Sequence, residues 1–403
     1  MVLAIAFGAH AASAQISSTH CVESDVALDS LHSSSRLERC GEGESTLLWH
    51  LDRIDQTGGE LDGQFDRRNS GAGSVIYVMD TGIMASHAEF AGNAGGTRII
   101  AGFDVTGSVE IGRSHCTSAN KALAPCYENF DELPAASHGT SVASIAAGHT
   151  IGVAPEASVV SVRVMNERGL ATTRTYLEGL DAIIHHAYSQ SAPTFRTAVV
   201  NISGWVLERL NAASVSGPVV KYSEVEQKMR DMIAGVDARG RRDPNGKRFL
   251  FVVAANNTDG GCGLSGMIDR FPALLGTSTD GLITVGGMTA SNTTWAGTCR
   301  GGVEVLAPAQ GIFSATITGA DHYRGRKPNL RSGTSFAAPI IAGIAARLLA
   351  DRPELTPQQL EAWITDTPSR VSDPSELMAN GKVGYVRSIS PARATTNVTR
   401  LEP

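Results

Sequence analysis

Unbroken apolar, β-branched runs recur along the chain at 74–79, 159–165, 198–202, 249–254, 282–285 and 303–306. A strand with one wet face alternates apolar and polar residues, so runs without that alternation predict strands covered on both sides. Between the runs the apolar spacing changes to three and four, which predicts helices over 139–147, 175–188, 223–238, 334–350 and 357–365. Strands alternating with helices predict an α/β fold of three layers, a mostly parallel central sheet with helices on both faces. Ligands of such sheets bind beyond the carboxyl ends of the strands, so the chemistry is expected just after the apolar runs.

Composition narrows the picture. The 403 residues are 42% hydrophobic, enough for a large core, and no Pro/Ser-rich linker or internal repeat divides them. The net charge of −6, with both signs scattered and no basic run, argues against a nucleic-acid partner. Residues 1–14 read as a secretory signal, apolar over 2–7 and closing on Ala12-Ser13-Ala14, although the basic start of such signals is missing. No other stretch reads as long and apolar enough to cross a membrane, so a soluble protein, secreted or periplasmic, is expected. Six cysteines fit an oxidising compartment. They allow fifteen connectivities, and pairing of sequence neighbours is the expectation: Cys21 with Cys40, Cys116 with Cys126, Cys262 with Cys299. The absence of Cys-x-x-Cys and His-Glu-x-x-His spacings argues against zinc or redox chemistry.

Three stretches carry the candidate chemistry. Val78-Met79-Asp80-Thr81-Gly82-Ile83 ends an apolar run on a carboxylate. Ser137-His138-Gly139-Thr140 and Ser332-Gly333-Thr334-Ser335-Phe336-Ala337-Ala338-Pro339 each open a predicted helix. Taken singly, Asp80 reads equally as a turn cap, His138 as a core histidine and Ser335 as a helix N-cap. Taken in order they supply an acid, a base and a nucleophile. A hydroxyl attacks at neutral pH when an imidazole takes its proton and a buried carboxylate holds the imidazole's tautomer.

In these stretches the chain resembles the subtilisin family of serine endopeptidases, and most closely its proteinase K-like branch. Further segments carry the likeness: Leu48-Trp49-His50-Leu51-Asp52-Arg53-Ile54, Gly152-Val153-Ala154-Pro155, Val253-Ala254-Ala255-Asn256-Asn257 and Leu306-Ala307-Pro308. The resemblance implies the same three-layer fold and an Asp80-His138-Ser335 triad that forms an acyl-enzyme. It implies that Asn257 donates to the oxyanion beside the Ser335 N–H. It also implies that Gly169, Leu170 and Ala171 pair with substrate backbone, and that Ser203, Gly204 and Trp205 wall the specificity pocket. No cofactor is required on this reading, although the resemblance admits a structural calcium near Asp280 and Glu304. The partners implied are protein or peptide substrates of a monomer, with no nucleic acid and no membrane. The organisation expected is a signal over 1–14, a short extension over 15–45, a peptidase domain over 46–390 and a tail over 391–403. The extension is too short for the inhibitory propeptide of relatives. Two rival functions remain: a processing enzyme or transpeptidase on the same fold, and a peptide-binding protein without turnover.

The chain also departs from the family pattern. Ser141 stands for a histidine and Ser144 for a glycine, changes expected to bear on packing. Asn256 stands where the family usually has glycine. Where the family's pocket wall runs Ser-x-Gly-Gly, this chain has Ser203-Gly204-Trp205-Val206, which puts an indole at a glycine position.

Overall fold

A computed structural model describes residues 48–55, 61, 65, 70–92, 96–106, 137–166, 169–189, 192–206, 220–237, 240–242, 246–259, 261–317, 323–324, 331–365, 369–370 and 384–385. The signal, the extension, the tail, and the cysteines at 21, 40, 116 and 126 lie outside these residues.

Seven parallel strands form the sheet: β1 (Val75–Asp80), β2 (Ile99–Asp104), β3 (Ser158–Arg163), β4 (Thr197–Ile202), β5 (Arg248–Ala254), β6 (Leu282–Met288) and β7 (Val305–Pro308). Their spatial order is β2-β3-β1-β4-β5-β6-β7. Two-residue pairs complete the strands: β8 (Ser314–Ala315) with β9 (Tyr323–Arg324), and β10 (Ser369–Arg370) with β11 (Gly384–Tyr385), which extends the sheet beyond β7. Every predicted strand is present. Every residue of β1, β4, β6 and β7 is buried, as the unbroken runs require.

The helices are α1 (Trp49–Asp55), α2 (Ser137–Ala147), α3 (Thr173–Ala187), α4 (Tyr222–Ala234), α5 (Thr334–Asp351) and α6 (Pro357–Thr365). Alternate residues of β1 serve the two faces. Ile76 and Val78 join a core built with α2, α5 and α6, while Val75, Tyr77 and Met79 join one built with α3 and α4. Helix α4 stops four residues before the predicted end because Gly235 takes a left-handed φ of 74° and caps it, donating to the Asp231 and Met232 carbonyls.

Helix α5 corrects one expectation. It is long and apolar enough to cross a bilayer, yet it is buried against β4 to β7 and α2, as the central helix of the core. The two serines that depart from the family pattern brace α2. Ser141 Oγ lies 2.8 Å from the Ser137 and Ala315 carbonyls, and Ser144 Oγ accepts the Ala315 N–H at 3.1 Å.

Candidate active site

Asp80 is the last residue of β1 and is fully buried. A buried carboxylate is costly unless it is paired and hydrogen-bonded. Here Thr81 N–H donates to Oδ1 at 2.7 Å, and His138 Nδ1 lies 2.8 Å from Oδ1 and 3.0 Å from Oδ2. His138 is the second residue of α2, and its side chain keeps 28% exposure, so the ring reaches from the buried acid to the surface. The head of α2 is pressed onto the turn after β1. Gly139 N–H donates to Thr81 Oγ1 at 3.0 Å, and a Cβ at 139 would collide with the Gly82 carbonyl. Only glycine fits beside His138.

Ser335 is the second residue of α5. Four residues on, Pro339 sits inside the helix and has no N–H to return to the Ser335 carbonyl. That carbonyl is taken instead by Ser203 Oγ at 2.8 Å, and Ser335 Oγ in turn donates to the Ser203 carbonyl at 3.0 Å. Asn201, fully buried at the end of β4, fixes the Ser203 hydroxyl from its Nδ2 at 2.9 Å. Phe336 packs beside the base, its ring centre 5.6 Å from that of His138.

The two asparagines after β5 differ in backbone, not chemistry. Asn256 takes φ 71°, the left-handed region that explains a glycine elsewhere in the family and that asparagine tolerates. Asn257 accepts Thr334 N–H at 2.9 Å and Thr334 Oγ1 at 3.0 Å on its Oδ1. With the oxygen held by the residue before Ser335, the Nδ2 donor is left facing Gly333, where an added Cβ would lie 3.3 Å away. A disulfide between Cys262 and Cys299 closes the loop that follows, and Cys299 N–H donates to the Asn256 carbonyl at 3.0 Å. This is one of the three expected pairings.

The "Subtilase family" matches residues 71–386. The chain is 30% identical over 379 residues to an alkaline extracellular protease of Yarrowia lipolytica, covering 90% of this chain and 68% of that one. It is 28% identical over 331 residues to alkaline serine exoprotease A of Vibrio alginolyticus, covering 81% and 48%. It also superposes on the crystal structure of a cold adapted subtilisin-like serine proteinase with a TM-score of 0.58 and 25% identity, over 85% of this chain and 98% of that one. The chain belongs to the subtilase family. It spans about half to two-thirds of the length of these two sequence relatives.

In this subtilase the expected substrate walls meet beside Ser335. Ala171 forms a parallel bridge with Val206, and Val206 bridges Phe271 on its other side. Gly169, at φ 71°, closes a turn on the Asn166 carbonyl, and Leu170 is 43% exposed next to it. A Cβ at Gly204 would strike the Met165 side chain. The Trp205 ring lies under the Arg270 guanidinium, 5.2 Å from its carbon. Sequence reasoning missed Arg270, Asn201 and the Thr334 anchor. Of these only Asn201 left a signal, as the one polar residue inside the apolar run of β4.

Glu304, one of the two residues near which a calcium is expected, stands in a carboxyl pair with Glu361. Its carboxyl accepts Thr284 N–H at 2.8 Å and hydrogen-bonds the carboxyl of Glu361, which itself accepts Gly281 N–H. Oxygens turned to N–H groups and to each other suit a shared proton, whereas calcium needs several lone pairs converging on one point. Among the described residues no group of three or more His, Cys, Asp or Glu side chains is placed to hold a metal.

The pair makes stability depend on pH. Burial, then the Glu361 charge, pushes the Glu304 carboxyl from its ordinary 4.5 up to about 8, and burial raises Glu361 too. Asp280 adds another negative charge facing Glu361. A proton held by the folded protein and released by the unfolded chain stabilises fully below pH 4.5, and that contribution is lost as pH rises to about 8. Thermal melts in a chelator from pH 5 to 9 should therefore decline more steeply for the wild type than for Glu361→Gln. Equal slopes would count against the shared proton.

Proposed function

We propose that this subtilase is a secreted serine endopeptidase that cleaves peptide bonds of protein substrates through an acyl-enzyme on Ser335. The observation that carries the reading is the buried Asp80 carboxylate set on His138 Nδ1 at 2.8 and 3.0 Å. That contact fixes the tautomer with Nε2 unprotonated, able to take a hydroxyl proton, and stabilises the imidazolium that results. Ser335 Oγ leaves the Ser203 carbonyl and turns to Nε2 as it attacks. Hydrogen bonds of this kind often tighten only once substrate is bound. The tetrahedral oxyanion is held by the Ser335 N–H, unpaired at the head of α5, and by Asn257 Nδ2. His138 then returns its proton to the departing amine, and water repeats the sequence on the acyl group. No step calls for a metal or cofactor.

The names of relatives, an extracellular serine proteinase of a Thermus species among them, support export. The Leu48–Ile54 stretch supports the proteinase K-like branch. Assaying unfolded casein with and without an acceptor amine separates an endopeptidase from a transpeptidase. Casein left intact, with peptide still bound, would leave only a binding protein.

Trp205 is expected to narrow the pocket for the side chain before the scissile bond, giving a preference for Ala or Gly over Phe or Leu. On tetrapeptide substrates Trp205→Gly should raise kcat/KM for Phe relative to Ala by at least about tenfold, roughly 1.4 kcal/mol. An unchanged ratio would mean that the indole, stacked on Arg270, lies off the substrate's path.

A further inference from the structure

Arg331 stands four residues ahead of Ser335, and no part of the reaction above uses it. Its backbone is fixed by two hydrogen bonds with Ile312, at 2.7 and 3.2 Å. From that fixed point its Nη2 donates to Ser137 Oγ at 2.6 Å. Ser137 is the first residue of α2, immediately before the base. The same guanidinium lies 5.9 Å from the ring centre of Phe336, the residue immediately after the nucleophile. One side chain therefore touches both catalytic neighbours, and Phe336 itself packs against the His138 ring.

These contacts join two elements that the chain brings together from far apart, Ser137 and Arg331 standing 194 positions apart in sequence. The joint is short and donated by a cation, and a guanidinium is planar and stacks on aromatic faces. Proton transfer between Ser335 and His138 depends on their separation, and an error of about 1 Å in such a contact costs on the order of a hundredfold in rate.

We propose that Arg331 is a positioning residue, clamping the head of α2 to the head of α5 so that the His138 ring stays within reach of the Ser335 hydroxyl. The proposal rests on the triad assigned above. It places the effect of Arg331 on the chemical step and not on substrate affinity.

Arg331→Met keeps an unbranched stem against Phe336 and deletes the donor. Its kcat on a tetrapeptide anilide should fall by about 10- to 100-fold with KM within about twofold. The rate at which a fluorophosphonate labels Ser335 should fall in parallel, because that reaction uses the same base and nucleophile without the substrate's side chains. Ser137→Ala cuts the contact from its other end and should lower kcat in the same way. The double variant should be no worse than Arg331→Met, since Ser137→Ala deletes a contact that Arg331→Met has already removed. Arg331→Lys, which restores a cation with a donor, should recover part of the loss.

An unchanged kcat in folded Arg331→Met, a loss confined to KM, or fully additive losses would each overturn the proposal. If Arg331→Met does not fold, Ser137→Ala decides: reduced kcat at constant KM supports the clamp, and unchanged kcat overturns it. Failure of the triad itself shows separately, as activity retained in Ser335→Ala.

Discussion

Ser335→Ala should reduce hydrolysis of unfolded casein by about 10⁴-fold or more while the protein stays folded. The change removes the attacking atom and, in the resting structure, a single hydrogen bond to the Ser203 carbonyl. A hydrogen bond of that kind contributes about 1 kcal/mol, so the melting temperature should move little. His138→Ala should be as inactive but less stable, because it strips the partner from a fully buried Asp80 carboxylate. The double variant should lose little activity beyond either single one, as members of one catalytic unit do. A fluorophosphonate probe should label the parent at Ser335 and leave Ser335→Ala unlabelled. Labelling of another serine, or casein turnover by the alanine variant, would remove the mechanism altogether.

Asn257→Ala should lower kcat by roughly 100- to 1000-fold with little change in KM, a range known from subtilisin itself. Its amide has two ends with separate duties. Oδ1 anchors Thr334, at 2.9 Å to the N–H and 3.0 Å to the hydroxyl, and Nδ2, facing Gly333, is the donor proposed for the oxyanion. Asn257→Asp keeps the anchoring oxygen and loses the donor. It should therefore lose kcat at least as severely while keeping more stability than the alanine variant. Asn256→Ala should behave the other way, disturbing folding through its φ of 71° and sparing most of kcat. Asn256→Gly, free of that conformational cost, should come close to the parent. A reversal between positions 256 and 257 would mean that the oxyanion donor is the earlier asparagine.

Strands buried on both faces announce themselves, which is why β1 and β3 to β7 were legible before any coordinates. Strand β2 was not. It lies at the sheet's edge, with partly exposed Ile100 and Ala101 and a glycine breaking its short run. Helix α1 was hidden for the opposite reason. His50, Asp52 and Arg53 read as surface residues yet are buried. Arg53 Nη2 donates to the Ala290 carbonyl at 2.9 Å, and His50 Nε2 lies 3.0 Å from the Ile151 carbonyl. Partners more than a hundred residues away leave no local pattern. The same limit applies within the site. The motifs named Asp80, His138 and Ser335, but nothing in the spacing tied Asn201 to Ser203 or Arg331 to Ser137. Residue type also failed to separate the half-turn of His185 and His186. The first is exposed, and the second is a core side chain bonded to Tyr77 Oη at 2.9 Å.

The place of Ser335 on α5 ties the proposed nucleophile to the centre of the fold. Asp80 and His138 lie in the first half of the chain, but the proposed nucleophile rides on the helix that fills the space between β4 to β7 and α2. Until that helix seats, the carbonyl and hydroxyl of Ser335 have no Ser203 to meet and the core has no centre. On the proposed reading, a chain still emerging from its ribosome is thus inert as well as unfolded. Any truncation that removes α5 should remove the proposed nucleophile and the centre of the core together. On the proposed reading, proteolytic capability arrives only together with the packing of the core.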